Sequence, residues 1–257
     1  MLLSRSTDAD WEQWGQQDPY FAVITDDALR QDRLTPEGLS QFFTSGEHHM
    51  QDVFARIRRH IDSEFMPKRG LDFGCGTGRL VLPMSARMDD VTGMDISSTM
   101  LAETQRNVEA RRLRNVRFAR SDDNLSQLEG KYDFIHSYIV LQHIPEIRGR
   151  VLFKRLIDHM ASGGVGALHI LFNNTIHPDP FGQTSPSLIA RIWMLKRHIR
   201  RLVPRLLGRK ADPEMQMNSY NLNFIFATLQ AAGIREMHTS LQDHGNAHSA
   251  VFYFRKP

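Results

Sequence analysis

From residue 67 onward, short apolar runs alternate with stretches whose apolar residues recur every three or four positions. Runs of four to eight apolar residues are strand-like, and three-to-four spacing marks the buried stripe of a helix. The runs predict strands over residues 70–73, 91–94, 116–119, 134–139 and 165–172. The wider spacing predicts helices over 80–87, 99–112 and 147–160. Strands separated by helices of this length need crossover connections, which gives a parallel sheet with helices on both faces.

Before the first strand, Met50, Val53, Phe54, Ile57, Ile61 and Phe65 predict an amphipathic helix over 46–65, closed by Pro67. Residues 173–219 break the rhythm. They open with Asn173, Asn174, Pro178, Pro180, Gly182 and Pro186, the composition of a loop. The rhythm resumes with a helix over 222–232, stopped by Gly233, and with strands over 236–241 and 249–254. The turn-rich stretch 243–246 between those strands predicts an antiparallel hairpin. Four segments follow: a helical cap (1–66), a ligand-binding core (67–172), an inserted basic helical lid (173–220) and a C-terminal completion of the sheet (221–257).

Composition adds bounds. Apolar residues make up 41% and charged residues 24%, so a 257-residue chain can build one sizeable α/β core. The net charge of +3 is mild. Cys75 is the single cysteine, which excludes an intrachain disulfide and a cysteine zinc cluster and fits a reducing cytoplasm. The chain starts MLLSRSTDAD, polar after three residues, and no stretch approaches 18 uncharged apolar residues. Neither a secretory signal nor a spanning helix is expected, and the cytoplasm is the expected location.

Candidate chemistry concentrates where the first strand ends, at Leu71-Asp72-Phe73-Gly74-Cys75-Gly76-Thr77-Gly78-Arg79-Leu80. A strand enters, three glycines turn and a helix leaves, so the turn is expected to deliver backbone N–H groups and a helix N-terminus to a ligand. Dinucleotide folds space these glycines G-x-G-x-x-G. Here the spacing is G-x-G-x-G, with Arg79 where the third glycine of that pattern would stand. Asp95 ends the second strand about 20 residues further on, where a carboxylate can accept from both ribose hydroxyls. It can also cap the next helix, although Ser97 and Ser98 are available for that. Ser121-Asp122-Asp123-Asn124 follows the third strand as an acidic turn. Tyr132 to Ile144 supplies the fourth strand and its exit, and Gly163-Gly164 the entry to the fifth.

The glycine spacing headed by Asp72, with the later features in order, resembles class I methyltransferases that use S-adenosylmethionine (SAM). The resemblance covers residues 68–172 by motif and 222–257 by topology. It implies a Rossmann-like α/β fold: a seven-stranded, mostly parallel sheet ending in an antiparallel hairpin, with helices on both faces, an N-terminal helical cap and a helical insertion after strand five. It implies SAM as cofactor, S-adenosylhomocysteine (SAH) as product and a small-molecule acceptor. Position by position, Asp72 would hold the methionine amino group, and Gly74, Cys75 and Gly76 would line methionine and ribose. Asp95 would bind ribose, with Ile96 and Met100 against adenine. Asp122, or else Asp123, would read the adenine edge, and Ser137 would sit near the methionine chain.

Methyl transfer is an in-line displacement that needs the acceptor held close and collinear, plus a base only if the acceptor carries a proton. His143, after strand four, is the first candidate base or substrate ligand; it could equally tie the Gln142–Pro145 turn to backbone. His177, after strand five, is the second, against a solvated loop position. His48 and His49 lie on the N-terminal helix, and one could face the pocket. His136 and His169 fall within strands and are expected to be satisfied there. No metal site is expected. Trp11, Trp14, Tyr20 and Phe21 could form a lid over the acceptor or an anchoring core patch. The turn Phe43-Thr44-Ser45-Gly46, ahead of the long helix, could meet the SAM carboxylate.

Residues 187–210 hold eight Lys and Arg and no acid on a helical apolar pattern broken at Pro204. Three readings are open: a lid with a solvated basic face, contact with an anionic or lipid-linked substrate, or a grip on nucleic-acid phosphates. A nucleic-acid partner fits less well, since no Asn-Pro-Pro-Tyr-like motif or cysteine nucleophile motif is present. The overall expectation is methylation of oxygen or nitrogen on a small-molecule or saccharide-type metabolite. The alternatives are an RNA or protein methyltransferase using the basic insertion, and a non-catalytic scaffold of the same fold.

Overall fold

The computed structural model describes residues 7–174, 212–245 and 247–257. His177 and the basic stretch 187–210 lie outside the described residues. One seven-stranded sheet runs through the molecule in the order β3-β2-β1-β4-β5-β7-β6. Its strands are β1 (Arg69–Phe73), β2 (Asp90–Asp95), β3 (Val116–Arg120), β4 (Tyr132–Ser137), β5 (Met160–Asn174), β6 (Met237–Asp243) and β7 (Ala247–Arg255). β1 to β5 pair in parallel, while β7 runs antiparallel to both β5 and β6. The expected mostly parallel sheet with a terminal hairpin is therefore what forms. Order reverses at β1 and β4, and in such sheets ligands bind outside the carboxyl ends of the strands at that reversal.

Alternating side chains divide the core in two. Leu71, Phe73, Ile135, Leu168, Phe252 and Phe254 pack beneath α6 (Glu146–Asp158) and α7 (Leu222–Ala231). On the opposite face Phe134, Val165, Ala167, Val251 and Tyr253 pack beneath α3 (Pro36–His60) and α4 (Val81–Ser85). Successive residues such as Phe134 and Ile135 thus serve opposite layers, as a period of two requires.

The expected helix over 46–65 begins ten residues earlier. Thr35 caps α3, its hydroxyl accepting from the Gly38 amide at 3.1 Å, and Pro36 fills the first position. Residues 43–46 therefore lie inside α3 and form no turn. Gly46 marks a close approach instead of a boundary: a Cβ there would stand 2.2 Å from the Arg79 carbonyl oxygen. The helix stops at His60, yet Phe65 stays buried, its ring 5.2 Å from Phe54 and 5.6 Å from Phe134. The apolar stripe outlasts the helix, which is why spacing alone placed the end too late.

β4 stops at Ser137, two residues short of expectation. Ile139 takes φ +57°, a left-handed conformation that no strand continues. Ahead of α3, α1 (Thr7–Gln17) and α2 (Pro19–Val23) cross the carboxyl ends of the strands, and α1 lies along α5 (Ser98–Ala110).

Candidate active site

The carboxyl ends of β1, β2 and β4 open on a cleft with about 840 Å³ of free space. Gly74, Gly76, Asp95, Ile96, Met100, Asp122 and Asp123 line it, together with His143. Asp72, Cys75 and Ser137 lie outside its wall.

The glycine turn works differently from the sequence expectation. The Gly74 and Cys75 amides both donate to the Met94 carbonyl, at 2.7 and 3.0 Å, and the Gly76 amide donates to Asp95 Oδ2 at 2.9 Å. These three N–H groups hold the turn to β2 and are not presented to a ligand. What Gly74 contributes is clearance. At φ +77°, a Cβ would sit 2.3 Å from Val140 Cγ2. Cys75 turns into the core: a Cβ added to Gly93 would lie 3.2 Å from its Sγ, and burial pushes its thiol well above the ordinary range.

Asp95 is a buried bracket at the end of β2. Its Oδ2 accepts from Gly76 and its Oδ1 from the Ser97 amide at 2.9 Å. Burial raises its carboxyl to about 6, although those amides pull the other way. A carboxylate offers about four acceptor positions, so each oxygen keeps one for a further donor in the cleft. Helix capping falls to Ser97, whose hydroxyl accepts from the Met100 amide at 3.1 Å. Met100 is buried against Trp14 and Ala22 and forms one wall.

Asp122 combines two features foreseen as alternatives. It lines the cleft, and it also organises a turn, its Oδ1 accepting from the Asn124 and Ser126 amides at 2.8 and 3.0 Å. The Ser126 hydroxyl holds its carboxyl below the ordinary range. Asp123 pairs with Arg148 at 2.7 Å. Asp72 Oδ1 stands 3.0 Å from His136 Nδ1, both side chains buried. Ser137 Oγ is buried without a partner among the described residues.

His143 stands in the turn after β4, at the border of the cleft. Its Nδ1 donates to the Gln216 carbonyl at 2.6 Å, which ties the turn to backbone, and its ring forms part of the cleft wall. Burial lowers its imidazole to about 4, so it is neutral at physiological pH. Of the other strand histidines, His136 is satisfied, whereas both ring nitrogens of His169 are buried without a partner among the described residues.

The four N-terminal aromatics divide between lid and core. Trp11 lines the cleft and meets the His143 ring at 5.0 Å, whereas Trp14 is buried against Met100. Tyr20 packs on Phe42 and donates to Glu103 at 2.5 Å. Phe21 carries the Arg30 guanidinium 3.8 Å above its ring. Within α3 the Ser45 hydroxyl donates back to the Phe42 carbonyl at 2.6 Å, so residues 43–46 offer no helix N-terminus to a carboxylate. Sequence reasoning missed Thr7, Asp8, Tyr138, Val140 and Arg148 as cleft residues. Only Tyr138 and Val140, at the end of an expected strand and directly after it, carried a signal that could have found them.

The cleft thus offers a paired-acceptor carboxylate at the end of β2, an acidic turn after β3, apolar walls between them and a turn cleared of side chains. This suits a nucleoside with a vicinal diol and an adenine-like edge. Among the described residues, no group of three or more His, Cys, Asp or Glu is arranged to hold a metal, and no helix is long and apolar enough to cross a membrane.

Comparison with known proteins agrees with this geometry. Residues 71–164 match the family model of the methyltransferase domain. Over 114 residues the chain is 33% identical to a probable S-adenosyl-L-methionine-dependent methyltransferase, TehB, of Haemophilus influenzae; the match covers 44% of this chain and spans 40% of that relative's length. Magnesium protoporphyrin IX methyltransferase from Synechocystis PCC 6803, with bound SAM, shares the fold over 100% of both chains, with a TM-score of 0.59 and 18% identity. The N-methyltransferase NodS from Bradyrhizobium japonicum does so over 98% of this chain and 100% of its own, with a TM-score of 0.58 and 14% identity. Residues 71–164 thus match a methyltransferase domain, and the glycine turn, the carboxylate that brackets it and the strand order are similar to those of class I SAM-dependent methyltransferases.

Proposed function

We propose that this chain binds SAM in the cleft and transfers its methyl group to oxygen or nitrogen of a small molecule, with a saccharide-type metabolite as the expected acceptor class. The observation that carries the reading is Asp95, buried at the mouth of β2 with each oxygen holding one backbone amide. That arrangement fixes the carboxylate and leaves one acceptor position per oxygen toward the cleft, spaced for a ribose diol. Ile96 and Met100 take the adenine face and Asp122 its edge. Asp72 gives one oxygen to His136 and has the other for the methionine ammonium. The unpartnered Ser137 hydroxyl supplies a further polar contact to the methionine chain.

SAM itself supplies the electrophilic methyl and the leaving group. The protein then has to orient the acceptor and exclude water. Trp11 and Thr7 of α1 roof the cleft on one side, and Tyr138 and Val140 form its wall beside the glycine turn. The named neighbours include a magnesium protoporphyrin IX methyltransferase and an N-methyltransferase, while the family model matches this chain over residues 71–164 alone. The acceptor is therefore set by parts outside that segment, and the eight basic residues of 187–210 favour an anionic group on it.

The test is titration calorimetry with SAH. The wild-type protein is expected to bind it, and Asp95→Ala to bind at least about tenfold more weakly, as expected for lost charge-assisted hydrogen bonds. Absence of heat with both SAM and SAH, or an Asp95→Ala affinity equal to wild type, would overturn the reading.

A further inference from the structure

Behind the glycine turn, Asp72 forms a line with two histidines that the cofactor contacts do not explain. Asp72 and His136 are register partners on β1 and β4, and Asp72 Oδ1 lies 3.0 Å from His136 Nδ1. On the far side of the same ring, His136 Nε2 lies 3.1 Å from His49 Nε2, which comes down from α3. The His49 ring stacks at a tilt on Tyr138, centroids 4.2 Å apart, and Tyr138 is a wall of the cleft. Asp72 and His136 are 2% and 1% exposed, while His49 is only half-buried.

Hydrogen-bond direction fixes the tautomers. A carboxylate can only accept, so His136 carries its proton on Nδ1 and presents a lone pair at Nε2. His49 must then donate from Nε2, which leaves its Nδ1 as a lone pair. That nitrogen has no hydrogen bond to any described residue. The line is thus closed at the buried carboxylate and open at His49, whose ring lies against the cleft residue Tyr138. Purely structural polar networks inside proteins tend to be satisfied at every member.

We propose that Asp72, His136 and His49 form a proton relay for the transfer reaction, with His49 Nδ1 as the group that takes the acceptor's proton. The inference rests on the methyltransferase reading, and it narrows the acceptor to one bearing an N–H or O–H at the methylated atom. As that atom forms its bond to carbon with its own electron pair, its proton passes to His49 Nδ1. The His49 Nε2 proton passes to His136 Nε2. The positive charge ends on His136, against the Asp72 carboxylate, and balances the charge lost when the sulfonium becomes a thioether.

The surroundings suit a conduit better than a reservoir at His49. Burial, then His136, Arg79 and His169, push its imidazole down to about 2. The charge therefore passes on to the ring that a carboxylate holds by a hydrogen bond. The other groups facing this line are Arg79 from the glycine turn, Tyr138 after β4, His169 from β5 and His244 from the β6–β7 turn. Among these, only Asp72 is an anion.

The experiment compares two cofactor analogues by calorimetry. SAH has no group at the methyl position, whereas sinefungin carries an amine there. The relay requires the His49 Nδ1 lone pair to face that position, so wild type is expected to bind sinefungin about tenfold more tightly than SAH, and His49→Phe to lose the preference while keeping its SAH affinity. In nitrogen-15 histidine spectra of the wild type, His49 is expected to be protonated at Nε2 and His136 at Nδ1. An unchanged preference in His49→Phe, no preference in wild type, or a His49 protonated at Nδ1 would each overturn the relay. No SAH binding by wild type would instead overturn the methyltransferase reading on which it rests.

Discussion

Two N-terminal helices, α1 over the cleft and α3 against the sheet, are attached by opposite means. α3 drives Met50, Val53, Phe54 and Ile57 into the sheet, all nearly fully buried. α1 sends one large apolar anchor fully inward, Trp14, with Trp11 half-buried beside it, and otherwise rests on polar ties. Thr7 donates to the His143 carbonyl at 2.9 Å, Asp8 pairs with Arg148 at 2.9 Å, and Glu12 receives the hydroxyls of Ser98 and Thr99 at the start of α5. Apolar burial is lost in full when a surface separates, whereas polar ties near the surface exchange with water at little net cost. α3 is therefore a fixed wall and α1 a roof that can lift. The proposed relay runs through the wall, and the cofactor would enter under the roof.

The contrast is broken most forcefully on α3. Phe54→Ala removes a ring packed against both Phe65 and Phe134. A loss of about 3–5 kcal/mol in unfolding free energy is expected from denaturant titration, the usual cost of such a truncation. A loss below about 1 kcal/mol would show that α3 is no more firmly held than α1.

A second effect belongs to the floor between the two helices. In the free protein Asp95 titrates near 6, above its ordinary carboxyl value, because it is buried. An acid raised on folding binds its proton more tightly when folded, so its contribution to stability is full below about pH 4 and is lost as pH rises through about 6. Ribose hydroxyls would donate to the ionised form and lower that value in the complex. SAH affinity is expected to rise by up to about tenfold between pH 5 and pH 7, with proton release on binding, since a shift of one unit is a factor of ten. Affinity that is flat with pH, measured in two buffers of different ionisation heat, would separate Asp95 from the ligand.

Much of the floor was legible in the chain. Short apolar runs placed all seven strands, and the glycines followed by Asp95 marked the cleft they line. What could not be read was the use of hydrogen bonds. The turn looked like a source of free amides, but Met94 and Asp95 consume them, and nothing local encodes that pairing between two strands. Gly46 looked like a helix boundary because its real cause, the Arg79 backbone passing beneath it, is 33 residues away in sequence. Asp72 and His136 each appeared as a strand residue, and only the β1–β4 register makes them partners. Arg148 sits in an ordinary helical pattern, and its cleft role depends on α1 returning from 140 residues earlier.

That arginine gives the smallest effect and the sharpest test of the roof. Arg148 bridges Asp8 on α1 to Asp123 beside the cleft, at 2.9 and 2.7 Å, with 29% of its side chain exposed and the two acids 40% and 54% exposed. Pairs this open contribute roughly 0–1 kcal/mol each, so Arg148→Ala is expected to change unfolding free energy by less than about 1 kcal/mol. If α1 lifts to admit the cofactor, the same substitution weakens a tie that exists only in the closed state. SAH release should then quicken by a few fold in stopped-flow displacement. Wild-type release should quicken with added salt, because screening loosens exposed pairs, and the variant should have lost most of that salt response. Equal release rates and equal salt responses would mean that Trp14 alone holds the roof, and that α1 belongs with α3 as part of the wall.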